Sequence, residues 1–314
     1  LEYITRVSTL LVGHGSRRAE AIAQFNRFVS EFAALTGQSA HSCFLELAKP
    51  DMANGLDCAA REVGAGGTVV VLPIFLGAAN HEKNDVATAI QWARQRFPKV
   101  TFRYATPLGP HARLIALLDL RIREAHQRTP DALPLEDSSV LVIGRGSSDP
   151  DSNSELARTA HLLFEKRPYR FVAYAFQAVA RPTIAEALHY CAAIGAHQVL
   201  VAPYILFTGR VYEDVQAVSS HVAAQLGLRV IHAMYLAPHP WLLEVAHQRW
   251  QEALEGTAAM TCDICKYRFP MAGYEDQVGE PQHTHHLHGA HITHGHTGSS
   301  EHPEHTHGEA ALTS

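Results

Sequence analysis

The sequence predicts an α/β protein built from two similar doubly wound parallel-sheet domains, with a C-terminal tail outside both. Three observations lead there. Short β-branched runs alternate with longer amphipathic stretches, the pattern of a parallel sheet covered on both faces. That pattern runs twice: "LLVGHGS" at 10–16 returns as "LVIGRGS" at 141–147, "LELAKP" at 45–50 as "FQAVARP" at 176–182, "VVVLPIFL" at 69–76 as "VLVAPYIL" at 199–206, and "LGPHARLIALL" at 108–118 as "LAPHPWLLEVA" at 236–246. Four ordered matches at an offset near 130 residues describe an internal duplication. Beyond about Thr257 the composition changes, and neither periodicity continues.

In the first half, strands are predicted at Ser8–Gly13, Ser42–Leu47, Thr68–Ile74 and Val100–Tyr104, each rich in β-branched or aromatic residues. Helices are predicted at Arg18–Leu35, Met52–Val63, Asn84–Arg96 and His111–Gln127, where apolar residues recur at helical spacing. Right-handed crossovers leave few ways to connect them. Residues 129–138, "TPDALPLEDS", read as a linker because of their prolines and acids. The chain thus divides into an α/β domain at 1–128, a second at 138–256, a cysteine-bearing segment at 257–280 and a tail at 281–314. Ten of the 22 histidines fall in the last 32 residues, which have almost no apolar side chains and are expected to be disordered without metal.

Composition narrows the function. The chain is 46% hydrophobic and 18% charged, with a net charge of −5, which points to neither nucleic acid nor a membrane surface as partner. No apolar run reaches the ~18 residues of a transmembrane helix. The N-terminal run leads directly into a glycine loop and reads as a first strand, not a signal peptide. Five sparse cysteines suit a reducing compartment, so a cytoplasmic protein is expected.

Ligands of doubly wound sheets bind beyond the carboxyl ends of the strands. His14 follows the first strand, Glu46 ends the second, and His81 follows the third in "GAANHEKN". Three strands thus deliver two imidazoles and a carboxylate to one edge of one domain. Gly13 and Gly15 are expected to turn the chain sharply and leave room around His14, and Ser16 to cap the following helix. The duplicate reads differently: Arg145 stands for His14, Gln177 for Glu46, and "TGRVYEDV", with Arg210, for the His81 loop. One site per chain follows. Arg145 and Arg210 either hold carboxylates of an acidic ligand or face solvent. Imidazoles suit borderline divalent ions such as Co²⁺, Fe²⁺, Ni²⁺ and Zn²⁺, and a carboxylate or imidazole also accepts protons. Metal delivery with proton removal is what insertion of an ion into a tetrapyrrole requires.

The motifs "GHGSRR" at 13–18, "LELAKP" at 45–50, "LPIFLGAANHEKNDV" at 72–86, "MTCDICKYR" and "GYEDQVG" resemble the long form of the CbiX family of sirohydrochlorin chelatases, over roughly residues 7–280. The resemblance implies two α/β domains with the macrocycle in the cleft between them. It implies an active site of His14, Glu46 and His81, with His14 and His81 on the metal, and Co²⁺ as the metal inserted into sirohydrochlorin. Insertion of Fe²⁺ for sirohaem is the nearest alternative, and a metal-storage or metallochaperone role for the tail is one of another class. Some long members carry an iron–sulfur centre at a Met-x-Cys-x-x-Cys motif, here Met260, Cys262 and Cys265. Two cysteines are half of a Cys₄ set, so a cluster needs a second chain, as in a homodimer, or other ligands. The histidine-rich tail is expected to bind divalent ions.

Overall fold

The computed structural model describes residues 6–79, 81–165, 167–259, 267 and 273–280, and only the backbone of His81 and Glu82. Eight strands form two four-stranded parallel sheets. The first holds β1 (Val7–Gly13), β2 (Ser39–Phe44), β3 (Thr68–Pro73) and β4 (Thr101–Tyr104) in the order β2-β1-β3-β4. The second repeats it with β5 (Ser139–Gly144), β6 (Phe171–Phe176), β7 (Gln198–Pro203) and β8 (Arg229–His232) in the order β6-β5-β7-β8. The inner strands β3, β5 and β7 are buried at every position, which is why they read as unbroken apolar runs.

Between the strands run α1 (Ala19–Thr36), α2 (Met52–Val63), α3 (Ala87–Arg96) and α4 (Ala112–Gln127), then α5 (Pro150–Phe164), α6 (Ile184–Ala193), α7 (Arg210–Leu226) and α8 (Pro240–Glu255). The expected elements are all present, with two boundary differences of consequence. Strand β2 ends at Phe44, not Leu47, so Glu46 lies in the loop beyond it. Its start is earlier than expected, at Ser39, because the edge position tolerates the half-exposed "SAHS", which has no apolar signature. Helix α3 is preceded by a wide, π-helical turn over His81–Val86.

Helices α2 and α3 cover the outer face of the first sheet, and α6 and α7 that of the second. The inner faces share one continuous apolar core that holds Leu11, Phe32 and Leu72 together with Val142, Leu200 and Leu242. Helices α1, α4, α5 and α8 fill it, and their partners are exchanged: α4 packs on β7 and β8 of the second sheet, and α8 on β3 and β4 of the first. Buried Arg121 of α4 fastens this exchange by donating to the carbonyl oxygens of Leu236 (3.0 Å) and Pro238 (2.8 Å). The linker is docked as well, since Gln198 bonds Leu133 N (3.0 Å) and Ser138 Oγ (2.7 Å). The repeated histidines of "GPH" and "APH" are helix caps: His111 Nδ1 accepts from Arg113 N, and His239 Nδ1 from Trp241 N.

Candidate active site

Each parallel strand ends in a loop on the same edge of its sheet, and contacts between the halves bring the two edges together. Arg18 of the first half pairs with Glu213 at 2.7 Å, and Gln24 Oε1 accepts from Thr208 N at 3.1 Å. Phe207 packs edge-on against Phe25 and Phe28. In the opposite sense, Ala78 N donates to Glu155 at 3.1 Å. The carboxyl ends of both sheets therefore border one region.

His14 leaves β1, and Glu46 lies two residues beyond β2. Their backbones continue the ladder: Leu45 N donates to Gly13 O and Glu46 N to His14 O, both at 3.0 Å. That register brings His14 Nδ1 within 3.2 Å of Glu46 Oε1, each side chain about one-third exposed. The glycines act differently from the expectation that they open space. At φ +100°, a Cβ on Gly15 would overlap the carbonyl oxygen of Glu46, and one on Gly13 would press on Phe25 and Phe44. They let the protein's own loops close up, and this closeness is what pairs His14 with Glu46. Ser16 accepts from Arg18 N (3.1 Å) ahead of α1, whose first residues carry no side-chain cap.

The backbone also corrects the comparison of the halves. Ala178 N bonds Arg145 O as Glu46 N bonds His14 O, and Gln177 N bonds Gly144 O as Leu45 N bonds Gly13 O. The counterpart of Glu46 is thus Ala178, not Gln177. Glu46 and Gln177 are chemically alike but stand one register position apart. Arg145 is exposed, and Arg210 is exposed beside Asp214 at 3.7 Å, while Gln177 also donates to Asp214 (3.2 Å). Among the described residues of the second half, Arg145 and Ala178 stand in the places of His14 and Glu46.

The His81 side chain lies outside the described residues, as do Met260, Cys262, Cys265 and the tail. Among the described residues no group of three His, Cys, Asp or Glu side chains converges on a metal position. The loop that carries His81 is nevertheless firmly held, by residues the motif reading passed over. Lys83, in the π-helical turn, is buried against two carboxylates of the other half, Asp149 (3.1 Å) and Asp151 (2.8 Å). Burial alone would lower the Lys83 pKa, but the hydrogen bond to Asp151 and both negative charges raise it, so the ammonium stays charged. Glu155 completes the cluster. The only sequence signal was the run of charges in "HEKND" facing "SSDPDSNSE", and long-range pairing of such runs is invisible to periodicity.

Burial, reinforced by the charge of Asp151, pushes the Glu155 carboxyl up to about 8, against opposing contributions from Ala78 N–H and Lys83. The unfolded chain loses that proton near 4.5. Between those values the folded protein holds a proton that the unfolded chain has released, so stability should decline as pH rises through that window. Glu155→Gln stays neutral and should flatten the decline. Urea unfolding of parent and variant at the two ends of the window measures this, and equal slopes in both would remove Glu155 as the cause.

Of the described thiols, Cys43 and Cys191 are buried and Cys58 is exposed on α2. Burial raises the Cys43 pKa, and lifts that of Cys191 to about 11, so neither is a ready thiolate ligand. Cys43 of β2 and Cys191 of α6 therefore do not fit as completing ligands of an iron–sulfur centre. No helix among the described residues is long and apolar enough to cross a membrane.

The CbiX family model matches residues 8–125 and 139–253, one match per half. The chain is 36% identical over 273 residues to a sirohydrochlorin cobaltochelatase of Priestia megaterium, covering 86% of this chain and 87% of the relative. It is 34% identical over 243 residues to a sirohydrochlorin ferrochelatase of the same organism, covering 77% and 88%. Among solved structures it resembles SirB from Bacillus subtilis with Fe³⁺, with a TM-score of 0.71 and 26% identity over 81% of this chain and 99% of that one.

Proposed function

The chain belongs to the CbiX family, and from that premise we propose that it is a chelatase that inserts a divalent ion, Co²⁺ foremost, into sirohydrochlorin for tetrapyrrole synthesis of the cobalamin type. The observation that carries the reading is the His14–Glu46 pair, 3.2 Å apart at the carboxyl end of the first sheet, with Arg145 and Ala178 in its place in the second. Insertion expels two pyrrole N–H protons. Glu46 holds the His14 ring in place through Nδ1, and the pair accepts protons as they leave. His14 and His81 hold the incoming ion, whose open positions allow transfer. Residues 1–128 carry the site, 138–256 close the cleft and offer Arg145 and Arg210 to acidic groups of the macrocycle, and the 281–314 tail gathers metal near it. Cobalt is favoured by the breadth of the match to the cobaltochelatase; the ferrochelatase match keeps Fe²⁺ as the alternative.

The protein acts in the cytoplasm on this reading. An iron–sulfur centre at Cys262 and Cys265 would need further ligands from a second copy of the chain, as in a homodimer, or from other donors, and no step of the insertion runs through it.

The test is direct. Purified protein is given sirohydrochlorin with Co²⁺, Fe²⁺ or Ni²⁺ in turn, and the macrocycle absorbance is followed. Turnover fastest with Co²⁺ is expected, both for the full chain and for a chain ending at residue 280 in ample metal. Failure with every ion would refute the chelatase reading. Activity lost only on truncation would place the essential chemistry in the tail.

A further inference from the structure

One feature appears in both halves although the metal-site residues do not. Beyond β2, Ala48 N donates to Glu46 O at 2.8 Å across Leu47, whose φ is +61°. Beyond β6, Ala180 N donates to Ala178 O at 2.7 Å across Val179, whose φ is +68°. Each is a γ-turn of the rarer, strained hand, centred on a residue type that avoids positive φ. Glycine or asparagine would adopt this backbone more readily. Both side chains also stand in solvent, Leu47 at 52% and Val179 at 70% exposure. Neither backbone comfort nor core packing accounts for them.

The turns are fixed by the same scaffold in each half. Phe44 N bonds Pro50 O and Phe176 N bonds Pro182 O, both at 2.9 Å. The carbonyl at the head of each turn lies against a glycine at positive φ, Gly15 or Gly146, where a Cβ would collide with it. Strain held this firmly at a ligand-binding edge points to function. The second half keeps the turn after losing both His14 and Glu46 equivalents, so the turn serves something other than the metal. The β1 loop meets the β7 loop, and the β3 loop meets the start of α5, so the β2 and β6 loops lie at opposite ends of the shared edge.

We propose that Leu47 and Val179 are the macrocycle-binding contacts of the cleft, one from each half, their strained turns presenting an apolar side chain to the flat tetrapyrrole. This rests on the chelatase reading. An extended conjugated ligand offers apolar surface at both ends of the edge, and two exposed apolar knobs on rigid turns lose little entropy in meeting it. Duplication explains the pairing: a symmetric scaffold grips both ends of one ligand, while metal chemistry needs one site.

The test uses glycine, which suits positive φ and removes the side chain. Leu47→Gly and Val179→Gly are each expected to raise KM for sirohydrochlorin about fivefold or more, with kcat changed less. Thermal stability should be equal or higher, because the strain is relieved. Val179→Leu, which keeps an apolar contact, should retain a KM near the parent's. A parent enzyme that inserts no metal would overturn the chelatase reading and this proposal together. An active parent with unchanged KM in both glycine variants overturns the proposal alone, and so does a higher KM in Val179→Leu equal to that of Val179→Gly.

Discussion

His14→Ala should lower metal insertion by about a hundredfold or more while leaving the fold intact, the scale on which positioned proton acceptors contribute. The ring is one-third exposed and pairs with Glu46, so its loss opens no core cavity. On the proposed reading the substitution removes a nitrogen for the ion and a proton acceptor at once. Single-turnover absorbance changes at saturating Co²⁺ measure the effect, with thermal unfolding as control. Turnover within a fewfold of the parent would remove His14 from the site. Nothing comparable is expected at Arg145, its counterpart in the other half.

Gly15→Ala should be the most damaging change of a single methyl group. The added Cβ falls on the Glu46 carbonyl oxygen at a backbone φ of +100°, so the two loops must separate. A loss of about 2–4 kcal/mol is expected, from strain and from the broken ladder beyond β1 and β2. Activity should fall further than stability explains, because separation of the loops parts His14 from Glu46. Gly146→Ala is the internal control: φ is +88°, and the same clash arises with Ala178 O. It should cost similar stability yet keep kcat at temperatures where both variants are folded, with its effect on KM. Urea titration and steady-state kinetics together decide. Equal losses of kcat would show that the His14–Glu46 spacing is not what Gly15 protects.

These two changes also mark how far the sequence could be read. Periodicity located the strands because a strand buried on both faces must be apolar throughout, a local property of β3, β5 and β7. It misplaced β2 because an edge strand is under no such demand. The sequence marks the motif glycines but not the close approach of Glu46 O that Gly15 permits. A glycine at positive φ looks the same in sequence whether it makes room for a ligand or for a neighbouring carbonyl.

The sequence by itself determined the duplication, the parallel α/β class and the placement of His14, Glu46 and His81 beyond three strands, because each is written in local residue patterns, and the duplication in their recurrence. Only the tertiary structure decided that α4 and α8 exchange sheets and that Lys83 is buried against Asp149 and Asp151. Those depend on which surfaces meet across more than sixty residues of chain, as between Lys83 and Asp151. Burial there decides which charges pair and which carbonyls need a donor, and no residue's identity records that in advance.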